Sequence, residues 1–314
     1  MTDTAPFVRD DVARLLAMLA TIAAPPLSQL PLEHARAAFN AMNPLAEADP
    51  LALAVISDHA CPGPGGEIPL RFYDARPERE PGPAILFLHG GGFVIGDLDS
   101  HHALCTAIAE AMDLPVLAVH YRRGPESPFP AAPDDAEAAA RWLAASPAEL
   151  GRTITGLIPM GDSAGGNLAI VTTQALTARP ADVPVVAQVP IYPLTHEDFA
   201  NTASYRSFVD GFFLDRAVLD WFSRCYAAES GNPRAYPTLS DHGQTPPTVL
   251  LTAGLDPLRD SGRLYAQALI DAGREVSYLE RPGVIHGFVN MRKALPSTAA
   301  DMAAIFSALK AFLA

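Results

Sequence analysis

The chain has 314 residues, 49% hydrophobic and 18% charged, with a formal net charge of −13. That length and composition suit one large globular core, alone or with a small accessory unit, and exclude a disordered or low-complexity chain. The acidic balance repels phosphate backbones and speaks against nucleic-acid partners, and no run of like charge marks a membrane-surface patch.

Leu15–Ala24 is apolar, but Asp3, Asp10 and Asp11 precede it, where a secretory signal carries positive charge. Val8, Val12, Leu15, Leu19 and Ile22 instead share one face of a helix. Residues 1–47 read as two helices separated by Ala24-Pro25-Pro26, the second running from Leu32 to Met42 and ending before Asn43-Pro44. So short a segment has little core of its own and must pack on something else.

From residue 51 the period changes. Leu51–Asp58 and Ile68–Tyr73 read as strands joined by the Pro62–Gly66 turn. Continuous apolar runs follow at Ala84–Leu88, Val116–Val119, Ile154–Met160, Val183–Val189, Thr248–Thr252 and Val276–Leu279. Such runs suit parallel strands covered on both faces. Helical patterns near 101–112, 134–145, 166–178, 258–272 and 298–313 alternate with them. The alternation predicts an α/β fold with an open, mostly parallel sheet and a ligand site at the strands' carboxyl ends. Thr195–Gly231 breaks the rhythm with a helix-like Asp215–Ala227 and many aromatics, and reads as an insertion over the sheet's top edge. No apolar stretch is long enough to span a membrane.

Cys61, Cys105 and Cys225 are widely spaced and form no CxxC pair. Reduced thiols in a cytoplasmic protein are expected, with neither a zinc knot nor a redox dithiol. No cysteine sits in a recognisable nucleophile turn. Cys105 reads as a core residue on a helix face.

The chemistry concentrates at three strand ends. Gly161-Asp162-Ser163-Ala164-Gly165 fits Gly-x-Ser-x-Gly, a sharp strand-to-helix turn that presents a serine oxygen as a nucleophile. A serine hydroxyl needs a base, and a histidine suits that task. His286 follows the last predicted strand, whereas His196 and His242 fall too early. Asp256, after the Thr248–Thr252 run, is the candidate acid that orients the imidazole. Its rival Asp260 falls one turn into a helix, where a capping or surface role is expected. His89-Gly90-Gly91-Gly92-Phe93 follows the Ala84–Leu88 strand. Gly91 and Gly92, with Ala164, are the candidate oxyanion-hole donors, worth roughly 3–4 kcal/mol each in a preorganised site.

These motifs, together with Tyr121-Arg122, Pro125-Glu126, Pro128–Ala132, Asp256–Asp260 and His286-Gly287-Phe288, resemble the bacterial hormone-sensitive-lipase-like (family IV) esterases of the α/β-hydrolase superfamily. The resemblance runs from about residue 50 to the end. It implies an α/β-hydrolase fold with a helical cap, no cofactor, and hydrolysis of short-chain esters. The cap would comprise residues 1–47 and 195–231, and the catalytic core residues 48–194 and 232–314. Arg123-Gly124 and Ser261 depart from the family pattern. Phe93, Asp162, Tyr192, Phe212 and Phe213 are the candidates for substrate contact, and Asp162 is equally a candidate for ordering the loops around the triad. The aromatics of the insertion, Phe222 among them, are candidates for an apolar acyl or alcohol site, although most of them are expected to anchor the cap.

The expected function is therefore a cytoplasmic carboxylesterase with no metal or cofactor. Its partners are a small-molecule ester and water, with no nucleic acid or membrane; a homodimer stays open. A ligand-binding receptor on the same fold and a related amidase or acyltransferase are the alternatives. A complete triad histidine argues against the receptor, whereas amidase and acyltransferase share the acyl-enzyme chemistry. A histidine base predicts that kcat/KM falls as pH drops through roughly 6–7. A flat profile from about pH 5 to 8 contradicts it.

Overall fold

The computed structural model describes residues 5–22 and 25–314. Asp3 and Ala24 lie outside the described residues. Strand β1 (Val55–Gly63) alternates half-buried and exposed positions, and it turns through Pro64-Gly65 into the antiparallel β2 (Gly66–Asp74). The later strands are β3 (Gly82–Leu88), β4 (Val116–Val119), β5 (Ile154–Asp162), β6 (Val189–Ile191), β7 (Thr248–Leu255) and β8 (Val276–Ile285). β2 meets β4 antiparallel, and every pairing beyond is parallel. The eight strands lie in the order β1-β2-β4-β3-β5-β6-β7-β8. This is the α/β fold, with a mostly parallel sheet, that the sequence predicts.

Period-two alternation within β3 sorts the core into two layers. Ile85 and Phe87 pack with α3 (His102–Met112) and α9 (Ala299–Leu313) through Leu104, Ile108 and Ile305. Ala84, Leu86 and Leu88 face the other way, onto α4 (Ala131–Ala144) and α5 (Ala164–Ala178) through Ala136, Leu143 and Leu168. The helix α8 (Arg259–Asp271) adds Tyr265 and Leu269 beside Leu250 of β7.

Several predicted boundaries move. β1 starts later than Leu51 and runs through Pro62, which its position at the sheet edge tolerates. Val183–Val189 is not a strand but a passage between two neighbours. Val186 N–H donates to Leu157 O of β5, whereas Gln188 bonds Pro247 and Val249 beside β7, so only Val189–Ile191 is regular. β7 and β8 extend beyond their apolar runs to Leu255 and Ile285.

Two helices precede the sheet. α1 (Asp10–Ala20) buries Val12 and Leu15, while Ile22 falls beyond its end and is 53% exposed. α2 (Leu32–Ala46) does not stop before Pro44. A proline this near the end removes a single helical bond, and the last turn is held from outside. Asn43 Nδ2 donates to Ser100 O at 2.6 Å, and Ala46 O accepts the amides of Lys293 and Ala294 at 3.0 Å each. Arg36 fastens α2 further, donating to Val94 O at 3.0 Å and pairing with Glu126 at 2.6 Å. The insertion contributes α6 (Ala203–Phe208), capped by Thr202, and α7 (Arg216–Tyr226), capped by Asp215. Among the described residues no helix is long and apolar enough to cross a membrane.

α1 is docked through Asp11, whose carboxylate accepts Ser297 N–H at 2.8 Å and Ser297 Oγ–H at 3.0 Å. Burial alone would raise this carboxyl's pKa, but the Ser297 amide and hydroxyl and the Val12 amide together hold it below the ordinary value. The stabilisation is thus complete above the unfolded pKa of about 3.9 and is lost as pH falls through the lower folded value. Asp11→Ala is expected to cost about 1–3 kcal/mol at neutral pH. In urea unfolding, the gap from wild type should close below about pH 4; a gap independent of pH contradicts this account.

Candidate active site

Ser163 stands between the end of β5 and the start of α5 with φ 56° and ψ −118°, a conformation that costs a non-glycine residue about 1–3 kcal/mol. The crossing is too close for side chains. A Cβ on Gly165 would lie 1.8 Å from Leu88 O at the end of β3. The helix therefore starts against β3, and the serine is forced to the tip of the turn.

β7 and β8 deliver the partners. Leu255 and Ile285 are paired, so the residues that follow them, Asp256 and His286, emerge side by side. His286 Nδ1 lies 2.7 Å from Asp256 Oδ2, and its Nε2 lies 2.7 Å from Ser163 Oγ. Asp256 is fully buried, and its other oxygen accepts Leu258 N–H at 2.8 Å. A carboxylate at Nδ1 accepts that ring proton and leaves the Nε2 lone pair for the serine hydroxyl. The ring of Tyr192 packs against the imidazole at a centroid distance of 4.6 Å.

Asp260 spends its carboxylate elsewhere. It accepts Ser204 N–H at 2.8 Å and pairs with Arg259 and Arg263, which fastens α6. His101 also stands beside a carboxylate, with Nε2 3.2 Å from Asp162 Oδ1. Its Nδ1 is engaged by Ser100 Oγ at 2.9 Å, so it has no nitrogen left for Ser163.

The glycine loop after β3 is held by its flanks. Gly90 N–H donates to Asp162 Oδ1 at 2.8 Å, the His89 ring contacts Gly90 O at 2.8 Å, and Tyr121 Oη–H donates to His89 O at 2.6 Å. Burial, then the neighbouring His101, holds the pKa of His89 well below the ordinary histidine value, so its ring is neutral and Nδ1–H is the donor. Among the described residues the amides of Gly91 and Gly92 donate to no protein acceptor. Both line, with Ser163, Ala164 and His286, a cavity of about 710 Å³. Its other walls come from α1 and α2 (Leu16, Leu19, Phe39, Met42) and from the insertion (Phe199, Phe213, Val218, Phe222).

A family model described as alpha/beta hydrolase fold matches residues 85–290. The chain belongs to the α/β-hydrolase family. Curated relatives include the carboxylic ester hydrolase LipN of Mycobacterium tuberculosis, 39% identical over 82% of this chain and 70% of that one. An ethyl acetate hydrolase of Pseudomonas putida is 37% identical over 79% of this chain and 80% of its own. Among solved structures, an ester-hydrolase from the metagenome of Lake Arreo, complexed with a derivative of bipyridine phosphonate, superposes with a TM-score of 0.92. Its identity is 35%, over 98% of this chain and 99% of that chain.

On this α/β-hydrolase frame Phe93, Asp162 and Phe213 line the cavity, but two other predicted contacts do not. Tyr192 is fully buried at the end of β6, behind His286. Phe212 turns away and meets Phe208 edge-on at 5.3 Å. Sequence reasoning missed His101 and did not single out Phe222 from the other aromatics of 195–231. Val218, Phe222 and Tyr226 fall four apart on α7, a spacing that marks one helix face and points to Phe222. At the two departures from the family pattern the residues meet specific neighbours: a Cβ on Gly124 would lie 2.4 Å from Cys225 O, and Arg123 donates to Gly96 O. Ser261 Oγ accepts the amides of Thr195 and His196 at 2.8 and 3.0 Å, and Gly124 N–H donates to Phe93 O at 2.8 Å. Burial raises the thiol pKa of Cys105, and that of Cys61 to about 11, so neither presents a thiolate at neutral pH.

Asp256→Asn is expected to lower kcat/KM on p-nitrophenyl acetate by about 10³–10⁴-fold, because an amide cannot hold the required tautomer. Asp260→Asn should cost less than about tenfold. Equal losses would move the acid's role away from Asp256.

Proposed function

We propose that the protein is a carboxylic-ester hydrolase working through an acyl-enzyme on Ser163. The observation that carries the reading is the continuous hydrogen-bonded line Asp256–His286–Ser163, at 2.7 Å and 2.7 Å, opening onto unbonded backbone amides. His286 Nε2 takes the hydroxyl proton as Ser163 Oγ attacks the ester carbonyl. The tetrahedral oxyanion is received by the N–H groups of Gly91, Gly92 and Ala164. As the intermediate collapses, the alkoxide leaves with the proton held by His286. Water then gives a proton to His286, attacks the acyl carbonyl and releases the acid, and Ser163 recovers its proton. Asp256 accepts the second ring N–H throughout and stabilises the imidazolium.

The substrate is a short-chain ester. Supporting this, the cavity is apolar in most of its walls, and one relative is named for ethyl acetate. Residues 1–47 and 195–231 act as the two halves of a cap that excludes water, since α1, α2 and α7 all contribute to the cavity wall. The setting is cytoplasmic, in keeping with three cysteines left as free thiols.

The test is p-nitrophenol release from a series running from the acetate to the palmitate ester, for wild type and Ser163→Ala in parallel. Turnover is expected to be confined to the short esters and to fall by at least about 10³-fold in the variant. Folded wild type inactive on every ester would sink the hydrolase reading and favour a receptor. Rapid acylation with turnover only on addition of an amine or alcohol acceptor would favour an acyltransferase.

A further inference from the structure

The proposed chemistry needs the Gly91 and Gly92 amides to stand unbonded and aimed, yet a run of glycines is the least self-supporting backbone there is. Something outside the loop must hold it. β3 and β5 are neighbours, with Leu88 opposite Gly161, so the residue before the nucleophile meets the glycine loop directly. Asp162, 4% exposed, accepts Gly90 N–H at 2.8 Å. The approach is so close that a Cβ on Gly90 would lie 2.4 Å from Asp162 Oδ2.

A carboxylate buried this deeply needs a further partner. His101 supplies it, with Nε2 3.2 Å from Asp162 Oδ1. The imidazole is fixed in turn. Its Nδ1 lies 2.9 Å from Ser100 Oγ, and its ring sits 6.0 Å from that of Phe87 and 5.7 Å from that of His89. Ser100 is itself tied down, its Oγ accepting Asp97 N–H at 2.8 Å. A connected line thus runs from the start of α3 through His101 and Asp162 to Gly90, the residue just before the two free amides.

We infer that Asp162 and His101, which both border the cavity, are positioning residues for the oxyanion loop, acting through the Gly90 amide. The inference rests on the proposed ester hydrolysis. An oxyanion exists only after attack, so a misplaced loop lowers kcat and leaves substrate binding alone. A residue that touched substrate would move KM, and a merely structural one would move only the folded fraction.

The test compares wild type, Asp162→Ala, Asp162→Asn and His101→Phe on p-nitrophenyl acetate. Active sites are counted by labelling with a p-nitrophenyl phosphonate. In that reaction Ser163 Oγ bonds to phosphorus, p-nitrophenolate leaves, and His286 takes the serine proton. The phosphoryl oxygen then occupies the oxyanion position, so the labelling rate also reads the loop. Asp162→Ala is expected to lower kcat per labelled site by about 10²-fold, with KM within about threefold and the labelling rate falling in parallel. Asp162→Asn keeps an acceptor for Gly90 N–H and should recover most of that loss. His101→Phe keeps an aromatic ring without the contact to Asp162 or the Ser100 hydrogen bond and should lower kcat by about tenfold at constant KM. It carries the test should Asp162→Ala fail to fold. Unchanged kcat per labelled site in His101→Phe and in folded Asp162→Ala overturns the inference, and so does a loss confined to KM. Wild type inactive on every ester removes the function on which it rests, whereas active wild type with unaffected variants removes this inference alone.

Discussion

The close crossing of α5 over the end of β3 is the constraint on which the rest of the site depends. No side chain fits at Gly165, where a Cβ would strike Leu88 O, so the chain leaves β5 in a turn that only a strained residue can make. Ser163 takes that strain with a φ of 56°. The energy stored there is offset by burial of α5 between β3, β5 and α4, where Leu168 and Ala169 are fully buried. A rigid helix and a central strand thus fix the serine oxygen to a narrow position, and preorganisation of this kind is what a nucleophile needs.

Because the sheet is parallel in this region, the loops that matter leave it at one edge. The ends of β3, β5, β7 and β8 lie within one neighbourhood, which the pairings Leu88–Gly161 and Leu255–Ile285 define. The helices above this edge are fastened by charge and hydrogen bonds as well as by apolar contacts such as those of Val12 and Leu15. Arg36, Asn43 and Asp11 each reach the core through specific partners, while several cavity-facing residues of α1 and α2 remain only half-buried. Such attachments hold position yet leave an apolar interior free to receive a ligand.

Much of this was legible in the sequence because it is local. The elbow, the glycine loop and the two strand-end residues Asp256 and His286 each follow an apolar run whose period sets the element. The strands β3, β4 and β5 begin and end within two residues of their runs. What was not legible depends on partners far along the chain. The run Val183–Val189 has the composition of a strand, but its neighbours divide its hydrogen bonds between two sides. Pro44 reads as a stop, but Ser100, Lys293 and Ala294 carry the helix past it. Tyr192 and Phe212 have the chemistry of cavity residues, and only their direction at the end of β6 and after α6 removes them. His101 gave no local signal, because its partner lies 61 positions away across the sheet, at Asp162.

The two buried carboxylates near Ser163 illustrate how direction decides role. Asp162 and Asp256 are both nearly inaccessible, and each accepts a backbone N–H and lies within hydrogen-bond reach of a histidine. Residue type and burial do not distinguish them. The sheet order does, since β3 lies on one side of β5 and β6, β7 and β8 follow on the other. The carboxylate after β7 therefore meets an imidazole whose second nitrogen reaches the serine. The carboxylate that ends β5 meets the loop from β3 and an imidazole whose second nitrogen is already taken by Ser100. Ser163 thus divides two polar systems, one that reaches its hydroxyl through His286 and the other placed against the glycine loop after β3. Strand order sets that division before any side chain is chosen, so the same pair of residue types gives opposite roles at the two ends.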